Sequence, residues 1–488
     1  MTTALQETAS GGPAMTRRRR RIVLAICCMS ILIVGLDNTI VNVALPSIGH
    51  ELHTTVSGLQ WTVDAYTLVL ASLLMLSGSM GDRLGRRRVF QVGLALFTLA
   101  SLLCSVAPSL GWLIAFRMLQ GVGGSMLNPV AMSIIRNVFT DARERAQAIG
   151  MWGATVGLSL ALGPVVGGGL VESVGWRSIF WINIPVGLLA LVLTMRFVSE
   201  SRAPRPRRLD PVGQLLVVAL LASLTYAIIE GPSAGWSSGE IVALFAVSLA
   251  SLGSLLAYER SRVEPLLELR FFGSIPFASA SAIAVLAFSA LGAFLFLNTL
   301  YLQEVRGLSA LEAGLYTLPI ALMTVVFAPV SGYIVGRRGP RLALVVGGLG
   351  IMLGGALMTG LARHTALSSL LPAYFVFGLG FAVVNPPITN TAVAGMPPAQ
   401  AGVAAAVAST SRQVGQTLGV ALAGAITAAG VRTVGPGFVA ASHAGWWLVT
   451  ACGLAMAVLG IASTTARANA SARRAARELT PQPAGGSL

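Results

Sequence analysis

The 488-residue chain contains no lysine, only four cysteines and four histidines, and charged residues make up 10% of it. Without lysine there is no Walker lysine, no Schiff-base nucleophile and little phosphate-loop chemistry, which argues against an ATP-driven mechanism or covalent amine catalysis within the chain. Cys27, Cys28, Cys104 and Cys452 all fall inside apolar stretches, so they read as small packing residues rather than a disulfide framework or metal site. His50, His53, His364 and His443 fall in or beside predicted outer loops and read as solvated side chains, because no further ligands surround His50 and His53. Loops long enough to fold alone are also lacking, which leaves no room for an appended soluble catalytic domain.

Apolar residues are what the chain has in abundance: 55% are hydrophobic and the mean hydropathy is +0.78, far outside the range of soluble globular proteins. Fourteen apolar spans are predicted, at 22–44, 57–80, 89–107, 110–132, 146–170, 178–199, 212–230, 240–258, 275–302, 311–335, 342–362, 367–392, 402–430 and 444–464. Each has the length of a membrane-crossing helix. The net charge of +15 would suggest nucleic acid in a soluble protein. Here the 33 basic residues, all arginine, sort by side: with the N-terminus inside, 27 fall in inner segments, four in outer loops and two within spans. That asymmetry predicts cytoplasmic termini and a bilayer, not nucleic acid, as the partner of the basic charge. The basic tail before the first span is not read as a cleaved signal, since the following stretch is too long and carries Asp37.

A weak internal repeat sets the expected organisation. An offset of 254 places Gly332 on Gly78, Arg337 on Arg83, Gly339 on Gly85 and Arg341 on Arg87, with Gly336 where the first copy has Asp82. The spans then divide into six, two and six. The expected layout is a basic tail at 1–21, a six-helix bundle at 22–199, a linker with two inserted helices at 200–274, a second six-helix bundle at 275–464, and a tail at 465–488. Parallel repeats of this kind enclose a site near the bilayer midplane and rock about it.

Ionisable groups inside the bilayer are costly and are functional candidates by default. Asp37 lies in span one, Asp64 in span two, Arg117 in span four and Arg412 in span thirteen. Helical rise places Asp64 and Arg117 about 10 Å below the outer face and Asp37 about 22 Å from the inner face, nearly one level in a core about 30 Å thick. One positive and two negative groups are thus expected to share a layer. Withdrawal from water favours a protonated carboxyl and a nearby arginine favours the ionised one, so movement of the bundle could load and release a proton. Arg117 stays charged and would act as electrostatic partner. Arg412 suits an anionic part of a substrate, a backbone carbonyl or plain packing.

Two motifs add to this. The segment G-S-M-G-D-R-L-G-R-R-R, Gly78 to Arg88, reads as a glycine-punctuated turn loaded with Asp82, Arg83, Arg86 and Arg87. It resembles the signature loop of the major facilitator superfamily, G-x-x-x-D-R-x-G-R-R. In span five, Gly157, Gly163, Pro164, Gly167 and Gly168 resemble the antiporter motif of that superfamily, G-x(5)-G-P-x-x-G-G. Small residues there permit close helix approach, and Pro164 deletes a backbone bond. Together with L-D-N-T-I-V-N-V-A-L-P in span one, W-T-V-D-A-Y in span two, W-R-S-I-F-W-I-N-I-P-V-G from Trp176 and S-R-Q-V-G in span thirteen, the chain resembles the fourteen-helix drug:proton antiporters. The resemblance implies export driven by proton influx, with Arg117 coupling, Asp37 and Asp64 serving proton or cationic drug, and Asp82 with Arg83 and Arg86 latching the cytoplasmic side. The expected protein is an all-α integral inner-membrane exporter of amphipathic, cationic or antibiotic-like compounds, with protons as coupling ion and no other cofactor or metal. A dedicated transporter of one metabolite or self-made antibiotic remains the alternative.

Overall fold

The computed structural model describes residues 15–204, 209–262, 264–394, 396, 400–430 and 437–479. Residues 1–14 and 480–488 of the two expected tails, the linker arginines Arg205, Arg207 and Arg208, and Arg432 of an expected outer loop lie outside the described residues. Among the described residues every element is helical, as lipid demands of a chain whose backbone groups must be satisfied within each segment.

The helices are α1 (Arg17–Leu52), α2 (Val56–Leu84), α3 (Arg86–Ser105), α4 (Leu110–Val138), α5 (Ala142–Ser173), α6 (Ser178–Trp181), α7 (Asn183–Phe197), α8 (Pro211–Ala234), α9 (Gly239–Ser261), α10 (Ile275–Leu300), α11 (Ala310–Arg338), α12 (Arg341–Met358), α13 (Leu370–Val393), α14 (Ala401–Gly430), α15 (Phe438–Ala462) and α16 (Ala466–Leu479). Ile182 keeps right-handed helical dihedrals between α6 and α7, so Ser178–Phe197 forms one continuous crossing. Among the described residues twelve helices are long and apolar enough to span a bilayer.

Polar residues mark the helix ends. Asp141 accepts from the Glu144 amide at 2.8 Å to open α5, and Asp210 accepts from the Gly213 amide at 2.9 Å to open α8. Ser309 and Glu312 form a capping box on α11. Gly85, with φ +117°, breaks α2 from α3 where a side chain would strain the backbone. Helix extends into both expected tails. Arg17–Arg21 form the first turn of α1, where Thr16 caps the helix by accepting from the Arg19 amide at 3.3 Å. Residues 466–479 of the expected C-terminal tail form α16, whose exposed arginines Arg467, Arg473, Arg474 and Arg477 leave Ala468, Ala475 and Leu479 buried.

Helices α1–α7 pack among themselves and α10–α15 among themselves. The two groups meet along two seams, α5 against α11 and α2 against α14. The α8–α9 hairpin lies outside the second seam: Gln214 donates to the Ser72 carbonyl of α2 at 2.6 Å, while Ile228 and Ile229 pack on Ala421 and Ala425 of α14. The arginine clusters of α1, α2–α3, α11–α12 and α16 share one face of the molecule, hereafter the arginine-rich face.

Candidate functional site

The first bundle encloses a polar network with almost no access to solvent. Asp37 is 0% exposed and Arg117 1%. The Arg117 guanidinium pairs with Asp37 Oδ2, donates to Gln120 Oε1 at 2.7 Å, and reaches the Thr62 carbonyl at 3.1 Å through Nε. Asp37 Oδ1 accepts from Gln120 Nε2 at 2.9 Å and Asn183 Nδ2 at 3.1 Å. Ser101 accepts from the same two amides, at 2.8 Å and 3.3 Å. Tyr66 lays its ring under the guanidinium, 4.4 Å from the centroid. Five helices, α1, α2, α3, α4 and α7, therefore converge on one carboxylate with three donors. Such a pair is tolerated in an apolar interior only when its remaining lone pairs and protons are satisfied.

Asp64 lies at the depth of Arg117, between Thr62 and Tyr66 along α2, but stands apart from the network. It is fully buried on α2, accepts from Thr67 Oγ1 at 3.4 Å through Oδ1, and its Oδ2 has no hydrogen-bond partner. Thr417 of α14 donates to Thr67 at 3.0 Å, so Asp64 lies beside the α2/α14 seam rather than in the Arg117 network. The separation is helical: Asp64 and Tyr66 are two residues apart and project to different sides of α2, and only the Tyr66 side faces Arg117. Arg412 sits on α14, half-buried, donating to Thr389 Oγ1 at 2.5 Å with its guanidinium 5.9 Å from the Phe288 ring centroid. Its Nε has no hydrogen-bond partner, so it keeps one donor free in the second bundle.

The seams are sealed at the face opposite the arginines. There Gln60 donates to the Val420 and Ala421 carbonyls at 3.3 Å and 2.8 Å, and Gln303 donates to the Val43 carbonyl at 2.9 Å. Glu304 meets His50 at 2.9 Å and Glu172 accepts from the Leu311 amide at 3.4 Å. Gln303 and Glu304 lie in a single π-turn, Tyr301–Val305, that re-aims the end of α10. His50 is thus an inter-bundle partner in the last turn of α1, not only a loop residue.

Glycines decide how close the helices come. A Cβ on Gly163 would stand 1.9 Å from Thr39 Oγ1, one on Gly167 2.5 Å from Ile40 Cγ1, and one on Gly168 2.5 Å from the Ala310 carbonyl of α11. Gly314 answers from α11, with a Cβ 2.2 Å from the Pro164 carbonyl. Gly157 and, nearer the arginine-rich face, Gly153 and Gly150 meet nothing within 4 Å. The motif therefore splits: Gly163 and Gly167 admit α1 within the first bundle, Pro164 and Gly168 meet α11 across the seam, and Gly157 lies beyond both. Between them a crevice is lined by Thr39, Leu160, Pro164, Leu291, Thr317 and Phe381. Gly314→Val is expected to prevent α5 and α11 from closing, because the clash is with backbone that has no rotamer to yield. Labelling of a cysteine placed at Ala310 by a membrane-impermeant thiol reagent should rise several-fold over the same cysteine in the Gly314 parent. Unchanged labelling would show that the seal does not depend on this contact.

The Gly78–Arg88 segment is mostly helix rather than turn. Gly78 and Gly81 lie within α2, where Gly81 admits Val130 of α4, and Gly85 alone makes the break. Arg86 donates twice to Asp82 Oδ1, at 3.0 Å and 2.8 Å, an i,i+4 pair across the break. Glu200, unremarked in the sequence, accepts from the Arg87 and Arg88 amides at 3.1 Å and 3.3 Å and occupies the space a Cβ at Gly85 would take. The Ser201 carbonyl accepts from the Arg86 amide and the Ala203 amide donates to the Asp82 carbonyl. The strand of chain leaving α7 thus laces the loop. Arg87 also donates to the Met195 carbonyl at 2.5 Å, whereas Arg83 projects into the open.

Sequence reading missed Gln120, Asn183 and Ser101. Asn183 belongs to the W-R-S-I-F-W-I-N-I-P-V-G segment, and an amide in the middle of an apolar span was the signal available.

The Major Facilitator Superfamily model matches residues 27–420. The chain is 36% identical over 401 residues to the multidrug resistance protein Stp of Mycobacterium tuberculosis, covering 82% of this chain and 74% of that one. It is 37% identical over 430 residues to the multidrug efflux pump LfrA of Mycolicibacterium smegmatis, covering 87% and 84%. It is 37% identical over 413 residues to the tetracenomycin C resistance and export protein of Streptomyces glaucescens, covering 84% and 76%. In fold it is similar to a bacterial homolog of the human lysosomal transporter Spinster, with TM-score 0.65, 17% identity, and 96% and 100% of the two chains covered.

Proposed function

Since the chain belongs to the major facilitator superfamily, we propose that it is a proton-coupled antiporter that exports amphipathic, cationic drugs or antibiotics by alternating access. The reading rests on one observation above the others: a fully buried carboxylate, Asp64, with a free oxygen beside a seam that must open for the bundles to rock. Such a group binds a proton or a cation but not both, and competition for one site is sufficient linkage for antiport. The Arg117–Asp37 network holds the shape of the first bundle and the field in which Asp64 titrates. Named multidrug and antibiotic exporters among the relatives support the substrate class.

In this reading the chain crosses the membrane fourteen times. To the twelve apolar helices it adds α4 and α14, of 29 and 30 residues, each packed between neighbours that cross. Two six-helix bundles then flank the α8–α9 insertion, and the arginine-rich face and both termini are cytoplasmic. In that orientation the sealed far face corresponds to an inward-facing state, and the Asp82–Arg86 pair braces the α2–α3 break on the cytoplasmic side of the first bundle.

Inverted membrane vesicles with an acid interior should accumulate a fluorescent lipophilic cation in the presence of the protein and lose it on adding a protonophore. Uptake insensitive to the protonophore would overturn proton coupling. No uptake of any cation would favour the dedicated reading, to which the tetracenomycin C relative gives weight.

A further inference from the structure

We propose that Asp210 and Glu259, at the arginine-rich end of the inserted hairpin, form a separate proton-binding site that holds one proton between two carboxylates. Both residues are 3% exposed. Asp210 Oδ1 is engaged as the cap of α8, accepting from the Gly213 amide at 2.9 Å and from the Tyr258 hydroxyl at 3.0 Å. Among the described residues Asp210 Oδ2 has no hydrogen-bond partner, and the Glu259 carboxylate is approached only by the backbone amides of Leu266 and Leu267 and by no side-chain donor. A Cβ on Gly213 would stand 2.8 Å from Asp210 Oδ2 and 2.7 Å from Glu259 Oε1, so the two oxygens are no farther apart than those distances laid end to end. Glycine at this place leaves open the space between them.

Two buried carboxylates at that separation repel when both are ionised. Asp210 Oδ2, buried beside Glu259 and without a partner among the described residues, also calls for a donor. A single proton answers both needs: it removes one charge and supplies the missing O–H. A divalent ion fits less well, since calcium takes six to eight oxygens and Asp210 Oδ1 is already engaged. The groups facing the pair are the Tyr258 hydroxyl, the Leu266 and Leu267 amides, and Arg262, whose guanidinium lies across the Tyr258 ring at 5.3 Å. Gln214, four residues beyond Asp210, holds the Ser72 carbonyl of α2, so the site adjoins the joint between hairpin and first bundle.

The test uses the full chain in lipid, in an Asp64→Asn background that removes the unpaired buried carboxyl of α2. Infrared spectroscopy at neutral pH should show a protonated-carboxyl band that is lost in both Glu259→Gln and Asp210→Asn. In detergent, the melting temperature should fall as pH rises, because the folded state holds a proton that the unfolded state releases more readily, and Glu259→Gln should flatten that fall while keeping the fold. Absence of the band would overturn the proposal, as would destabilisation by Glu259→Gln at every pH, the mark of a lost ion pair. Disappearance of the wild-type band on adding magnesium or calcium alone would assign the site to a metal instead.

Discussion

Arg117→Ala is expected to abolish transport and to destabilise the protein by roughly 3–5 kcal/mol, the cost of leaving one partner of a buried ion pair alone. The expectation follows from how many groups this one guanidinium satisfies: Asp37, Gln120, the Thr62 carbonyl and the Tyr66 face. Removing it leaves Asp37 with two amide donors and no countercharge. Lysine keeps the charge but lacks the planar fork that meets Asp37, Gln120 and Thr62 at once, so Arg117→Lys should recover folding in part and transport little. Thermal melting in detergent separates the two effects, and vesicle uptake reads the second. The double variant Asp37→Leu/Arg117→Met is informative because apolar replacement of a whole buried pair is often tolerated. It should restore most of the melting temperature without restoring transport. Transport by that double variant would show the pair to be structural only.

Asp64→Asn is expected to bring proton-driven accumulation down to the passive level while leaving the fold intact. Asparagine matches aspartate in size and keeps an acceptor toward Thr67, and no arginine loses a partner. What it removes is the group that can exchange a proton. Substrate binding to wild type should weaken as pH falls, because protons compete for the carboxylate, and the variant should bind with a flat pH profile. Equilibrium binding across pH, set beside uptake driven by a gradient, distinguishes coupling from affinity. A variant that still accumulates substrate against its gradient would move proton coupling elsewhere, with Asp37 the next group to examine.

Much of this architecture is written in local patterns. Helical crossings need only length and apolarity, so the spans are visible in sequence, and Asp82 and Arg86 stand one turn apart and pair as that spacing implies. The Arg117–Asp37 pair was within reach because buried charges seek opposites. The separation of Asp64 was not, since it depends on how α2 is rotated against α4 and α14, which residue depth alone does not fix. Glu200 reaches Gly85 across 115 positions of chain, and Gln120, Asn183 and Ser101 are unremarkable one at a time. Asp210 and Glu259 sit at opposite ends of the hairpin and meet only because it closes on itself.

The hairpin also makes the molecule lopsided. Among the described residues, α8 and α9 cover the outside of the α2/α14 seam, and nothing covers the α5/α11 seam. A solute dissolved in the bilayer therefore meets a wall two helices thick on one flank and a single line of helix contact on the other. For the export proposed above, a solute arriving from lipid would reach the crevice on that thinner flank, where Pro164 and Gly168 of α5 meet α11.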